Sequence, residues 1–89
     1  MQFPAIHLNG TSADSLKEPY REAYSAIGDA ITKLAQCAPH GRDYYVISSD
    51  AINTAMAEHR ARLAALTTVQ NDMLAIFDAI EDQQLPLNH

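Results

Sequence analysis

The chain has 89 residues, a formal net charge of −5 and a single cysteine. That length makes one domain and excludes a large self-sufficient core, since so short a chain buries only about 60% of its unfolded surface. One cysteine excludes an internal disulfide and fits a reducing compartment, and an acidic balance with scattered Lys and Arg excludes the electrostatic footprint of a DNA- or RNA-binding protein.

Residues 1–11 are predicted to be an extended N-terminal segment. Pro4 forbids an early helix, and Phe3, Ile6 and Leu8 are β-compatible. Gly10-Thr11-Ser12 predicts a turn leading into a helix cap, in which Thr11 or Ser12 accepts from the first unpaired backbone N–H groups. Asp14 follows, where its charge suits the helix dipole. A first helix is predicted over residues 12–37. Leu16, Tyr20, Ala23, Ile27, Ala30, Leu34 and Cys37 form one stripe at helical spacing, widened by Tyr24, Ile31 and Ala35. Pro19 lies inside the stripe and is expected to kink or split the helix. Asp29 and Lys33 stand at the spacing and order of a helical ion pair.

A loop is predicted over residues 38–48. Ala38-Pro39-His40-Gly41 stops the first helix, with Gly41 suited to a left-handed turn. Tyr44-Tyr45-Val46-Ile47 favours an extended state. Ser48 or Ser49 is expected to cap a second helix over residues 49–84, ahead of Pro86 and a tail of residues 85–89. Its stripe keeps the 4-3 spacing without a slip: Ile52, Met56, His59, Leu63, Leu66, Gln70, Met73, Phe77 and Ile80. Ala55, Val69 and Ile76 flank it. At 1.5 Å per residue this helix is about 50 Å long, against about 37 Å for the first.

The pattern predicts an all-α fold, an antiparallel two-helix hairpin with a short extended N-terminal segment. The longer second helix extends toward the start of the first, where the N-terminal segment can turn back and lay Phe3, Ile6 and Leu8 on the stripe. Seven extended residues reach only about 23 Å, too short to meet Tyr44–Ile47 of the same chain. A partner chain can supply that pairing. The apolar positions also spread wider than one seam needs, so the chain is expected to be a homo-oligomer. The competing expectation is that the N-terminal segment and the loop cover the surplus. No apolar run approaches the roughly 20 residues that span a bilayer. Met1 to Leu8 lacks the basic start and cleavage site of a secretory signal. No membrane association is expected, and the expected location is the cytoplasm.

Few residues carry chemistry. His59 and Gln70 are the polar members of the second stripe. They predict either a pair fixing helix register or the wall of a pocket, with register the favoured expectation. Glu58 and Arg62 have the spacing of a surface ion pair. Cys37 and His40 make a Cys-x-x-His spacing, but a metal needs three or four ligands and the other histidines are scattered. No metal and no cofactor are expected. Cys37 continues the first stripe, which predicts a buried thiol and argues against a cysteine–histidine catalytic pair. With no nucleotide loop and no inward carboxylate pair, the chain is expected not to be an enzyme. Two polar clusters remain. His7, Asn9 and Thr11 precede a helix N-terminus, whose N–H groups suit a phosphate. His40, Arg42, Tyr44 and Tyr45 crowd one loop, where Arg grips phosphate and Tyr stacks on a base. Against these stand plain capping for the first cluster and a structured turn for the second.

Ile6-His7-Leu8-Asn9-Gly10-Thr11-Ser12, Pro39-His40-Gly41-Arg42-Asp43-Tyr44-Tyr45 and Glu58-His59-x-x-Arg62-Leu63 together resemble a group of small, uncharacterised bacteriophage and prophage helical proteins. The resemblance covers most of the chain and implies a phage origin, hence the cytoplasm of an infected or lysogenic bacterium. By looser analogy of size and setting, several small helical phage proteins are oligomers that sequester nucleotide immune signals. The expected function is therefore a non-enzymatic protein that binds or sequesters a small phosphorylated, nucleotide-like signal at subunit interfaces, to counter host defence. The alternative is a structural or interaction module that docks a host or virion protein.

Overall fold

A computed structural model describes residues 1–84. The predicted tail, residues 85–89, lies outside the described residues. The protein is all-helical: α1 spans Ala13–Ala35, a short 3-10 turn spans Gly41–Asp43, and α2 spans Ala51–Gln84. The two long helices pack against each other as a hairpin, and no strand forms among the described residues.

Helix α1 begins where Ser12, not Thr11, takes the capping position and accepts from the Ser15 N–H at 3.3 Å. The helix runs unbroken through Pro19. The proline removes the donor that would meet the Ser15 carbonyl, but Ser15 and Pro19 are both exposed, so water can take that carbonyl. The helix stops at Ala35, two residues earlier than expected, with Gln36 still in right-handed geometry. Gly41 is not left-handed, for no described glycine has a positive φ. The stop therefore comes from Pro39 and the tightened last turn, in which the Gln36 and Cys37 N–H groups reach back to Lys33 and Leu34.

Two consequences follow for the first stripe. Ala30 is exposed and Ile31 is half-buried in its place, so the seam drifts as a straight helix drifts from a strict seven-residue repeat. Cys37, beyond the helix end, leaves the stripe and is exposed. The second stripe holds throughout: every one of its nine members is buried or half-buried.

The expected extended run Tyr44–Ile47 is instead a chain of turns. The Tyr44 and Tyr45 N–H groups both donate to the Gly41 carbonyl at 3.0 Å, and the Ile47 N–H donates to Tyr44. An extended segment needs a neighbouring strand for its backbone, and this one has none in its own chain. Helix α2 starts at Ala51 rather than 49, with the Asp50 carbonyl accepting its first bond from the Thr54 N–H.

The helices are tied together at several levels. Near the start of α1, Lys17 donates to Gln84 at 2.6 Å and to Glu81 at 3.4 Å, and its ammonium lies 5.5 Å from the centre of the Phe77 ring. In the middle, the Gln70 side chain donates to the Tyr24 backbone carbonyl at 3.3 Å and fills the space left by Gly28. This is the register role expected of Gln70. The expected Asp29–Lys33 pair is not among the ion pairs of the described residues, which are Lys17–Asp14, Lys17–Glu81 and Arg21–Glu18. Arg21 holds the exposed Glu18 carboxyl below its ordinary range through a hydrogen bond.

The N-terminal segment does turn back onto α2. Gln83 clamps it, accepting from the Ile6 N–H at 2.7 Å and donating to the Pro4 carbonyl at 3.0 Å. Ile6 is half-covered, but Phe3 is exposed and Leu8 is 98% exposed, so only one of the three expected anchors docks. The resulting core is thin. Ile80 at 0% and Ile76 at 9% exposure are the buried hydrophobic residues among those described. The molecule is a rod 65 Å long with a radius of gyration of 19.5 Å, against about 12 Å for a compact domain of this length.

Candidate functional site

The site forms where the helices meet the loop. Leu34 lies in the last turn of α1, and the chain then passes Cys37 and Pro39 before the loop brings Tyr44 back. From α2, Ala55, Glu58, His59 and Arg62 share one face by their spacing of three and four. These eight residues line a cavity of about 280 Å³.

His59 is the most unusual wall. It is only 6% exposed, yet its ring has no hydrogen-bond partner among the described residues. Among the described residues no buried side-chain nitrogen or oxygen is without a partner, so the unpartnered imidazole nitrogens keep contact with solvent, and the residue lines the cavity. Glu58 and Arg62 bracket it on the exposed side. The surface pair expected of them is not formed within 4.0 Å, and both side chains line the cavity instead. The Cys37 thiol, exposed at the same cavity, donates to the Lys33 carbonyl at 3.7 Å.

Of the seven site residues predicted from sequence, Tyr44 alone lines this cavity. His40 acts locally, for its Nδ1 accepts from the Arg42 N–H at 3.4 Å and caps the short turn. The Arg42 side chain and Tyr45 are exposed beside it in sequence. His7, Asn9 and Thr11 lie in the other cluster, in the segment that Gln83 holds against the end of α2. There the His7 ring covers Gly10, where an added Cβ would sit 2.5 Å from Nε2, and the Gly10 N–H donates to the His7 carbonyl at 3.1 Å. Asn9 and Thr11 are exposed. One chain does not bring the two clusters together.

Sequence reasoning missed Cys37, Glu58 and Arg62, and it left His59 and Gln70 between fixing register, the favoured expectation, and lining a pocket; His59 lines the cavity, and the hydrogen bond between the helices is made by Gln70. The usable signal was the spacing of Ala55, Glu58, His59 and Arg62 on one face near the helix-stopping Pro39. In chemical terms the cavity offers guanidinium donors, an imidazole, a carboxylate acceptor and a phenol over an apolar floor of Leu34, Pro39 and Ala55. That mixture suits a small polar ligand with one flat or apolar part. Comparison with protein-family models, with curated proteins and with solved structures finds no match.

Proposed function

We propose that the chain is a non-enzymatic binding protein of bacteriophage type, an oligomer of antiparallel hairpins that holds a small phosphorylated, nucleotide-like molecule at its subunit interfaces. The observation that carries this reading is His59, buried and unpartnered on the wall of a cavity it shares with Arg62. The imidazole is free to donate to a ligand oxygen, a hydrogen bond to a charged group worth about 1.5–3 kcal/mol, and the Arg62 guanidinium grips the same phosphate with paired donors. Tyr44 stacks on a base, and Glu58 accepts from a base N–H or a sugar hydroxyl.

The oligomer rests on what one chain leaves uncovered. Leu8 at one end of the rod, and Tyr45, Val46 and Ile47 at 70 to 74% exposure in the loop, are apolar surfaces the hairpin does not cover. Two rods laid head to tail cover both at once. The same arrangement carries His7, Asn9 and Thr11 of one chain to His40, Arg42, Tyr44 and Tyr45 of the other, beside the cavity. Sequestering a nucleotide signal of the bacterial host is the use such a site serves in the cytoplasm. The exposed Tyr45-Val46-Ile47 run also favours a second reading, a module that docks a host or virion protein.

Calorimetric titration with a panel of linear and cyclic nucleotides tests the first reading. One class is expected to bind, and Arg62→Ala is expected to weaken it about tenfold or more, the worth of a charged hydrogen bond. No binding across the panel, or undiminished binding by Arg62→Ala with Tyr44→Ala, overturns it. Sedimentation equilibrium tests the interface: a chain that stays monomeric at every concentration refutes a shared site.

A further inference from the structure

We propose that Cys37 is a modification site for small zwitterionic thiols of the amino-acid type, which enter the loop-end cavity as disulfides and leave a mixed disulfide on the protein. Three observations converge. The thiol is exposed, and it lines the cavity of about 280 Å³ rather than open surface. The charges on that cavity come as a complementary couple not satisfied by each other: Glu58 and Arg62, one helical turn apart, form no ion pair within 4.0 Å. The buried wall of the same cavity is His59, 6% exposed and without a hydrogen-bond partner among the described residues. A carboxylate acceptor, a guanidinium donor and an imidazole around one thiol match an α-ammonium, an α-carboxylate and a polar backbone on the incoming molecule.

The step is a thiol–disulfide exchange. Cys37 gives up its proton to solvent, and its thiolate Sγ attacks one sulfur of the small disulfide. A new S–S bond forms as the old one breaks. The departing thiolate takes up a proton, so no net oxidant beyond the small disulfide is consumed. Among the described residues the competing tie on Sγ is its long hydrogen bond to the Lys33 carbonyl at 3.7 Å, which a side-chain rotation releases. The adduct fills the cavity, so modification closes it to any other occupant. Exchange at Cys37 does not depend on the cavity taking a phosphorylated ligand, because it uses only the thiol and the charges around it.

The test uses the full chain, whose single cysteine makes the modified position unambiguous. Cystine, with one α-ammonium and one α-carboxylate on each half and no net charge, is the zwitterionic probe and 2-hydroxyethyl disulfide the uncharged one. The added mass is followed by intact-protein mass spectrometry at low ionic strength, for folded and for urea-unfolded protein. The ratio of the zwitterionic rate to the uncharged rate is expected to be about tenfold higher in the folded chain than in the unfolded one. Arg62→Gln and Glu58→Gln, which keep the side-chain stems, are each expected to return the ratio to its unfolded value, with helicity checked by circular dichroism. An equal ratio in folded and unfolded protein overturns the inference. So does an elevated ratio that both substitutions leave unchanged.

Discussion

Substituting Gly28 by Ala sets two effects of similar size against each other. In the middle of α1, glycine costs about 1 kcal/mol of helix stability relative to alanine, so the exchange should stabilise. The added Cβ, however, would sit 2.9 Å from the Gln70 Nε2. That atom ends a flexible side chain and can move, but moving it breaks the bond to the Tyr24 carbonyl at 3.3 Å. A hydrogen bond of this kind is worth about 0.5–1.5 kcal/mol net. In the native background the two terms offset, and Gly28→Ala is expected to change stability by little. In a Gln70→Ala background there is no amide to displace, and the same exchange should stabilise by about 1 kcal/mol. The coupling energy of the cycle is then about 1 kcal/mol. Urea unfolding followed by circular dichroism measures it, at one fixed protein concentration because association shifts apparent stability. An equal gain of about 1 kcal/mol in both backgrounds refutes the argument that Gln70 seats on Gly28 to set helix register.

Ile80, with no exposure at all, is expected to be the most sensitive apolar position. Ile80→Ala should cost about 2–5 kcal/mol and Ile80→Val about 0.5–1.5 kcal/mol in thermal melts, and equal small losses from both would remove Ile80 from the core. Gln83→Ala removes both bonds of the clamp on the N-terminal segment. Hydrogen exchange is expected to show lost protection at the Ile6 amide with the middle of α2 unaffected; persistent protection at Ile6 would falsify the clamp.

The helices were legible because their signals are local and periodic. The α2 stripe could be read residue by residue, since a straight helix buries every third or fourth side chain whatever it packs on. The α1 stripe was legible to Leu34 except at Ala30, which is exposed while Ile31 is half-buried in its place. Its last member was misread because helix termination depends on a proline two residues further on and on carbonyls that only the folded turn shows. The loop run Tyr44–Ile47 was misread for a related reason. β-branched and aromatic residues favour a strand only when a neighbouring strand is present, and the 3-10 turn before it satisfied the backbone locally. The predicted site was legible as polar clusters in sequence, but proximity in sequence is a poor guide to what lines a cavity.

From the sequence alone came the all-helical class, the two helix lengths to within a few residues, the lack of a disulfide and the polar interruptions of the second stripe. Each depends on residue type and short-range spacing, which act before the chain folds. The tertiary structure decided the division of labour between those interruptions: Gln70 reaches a carbonyl on α1 and sets register, while His59 faces a void. It also decided that Cys37, Glu58 and Arg62 meet on that void. Those outcomes depend on where two helices cross and where one of them stops. The backbone of both helices settles them, and no single stretch of sequence contains that information.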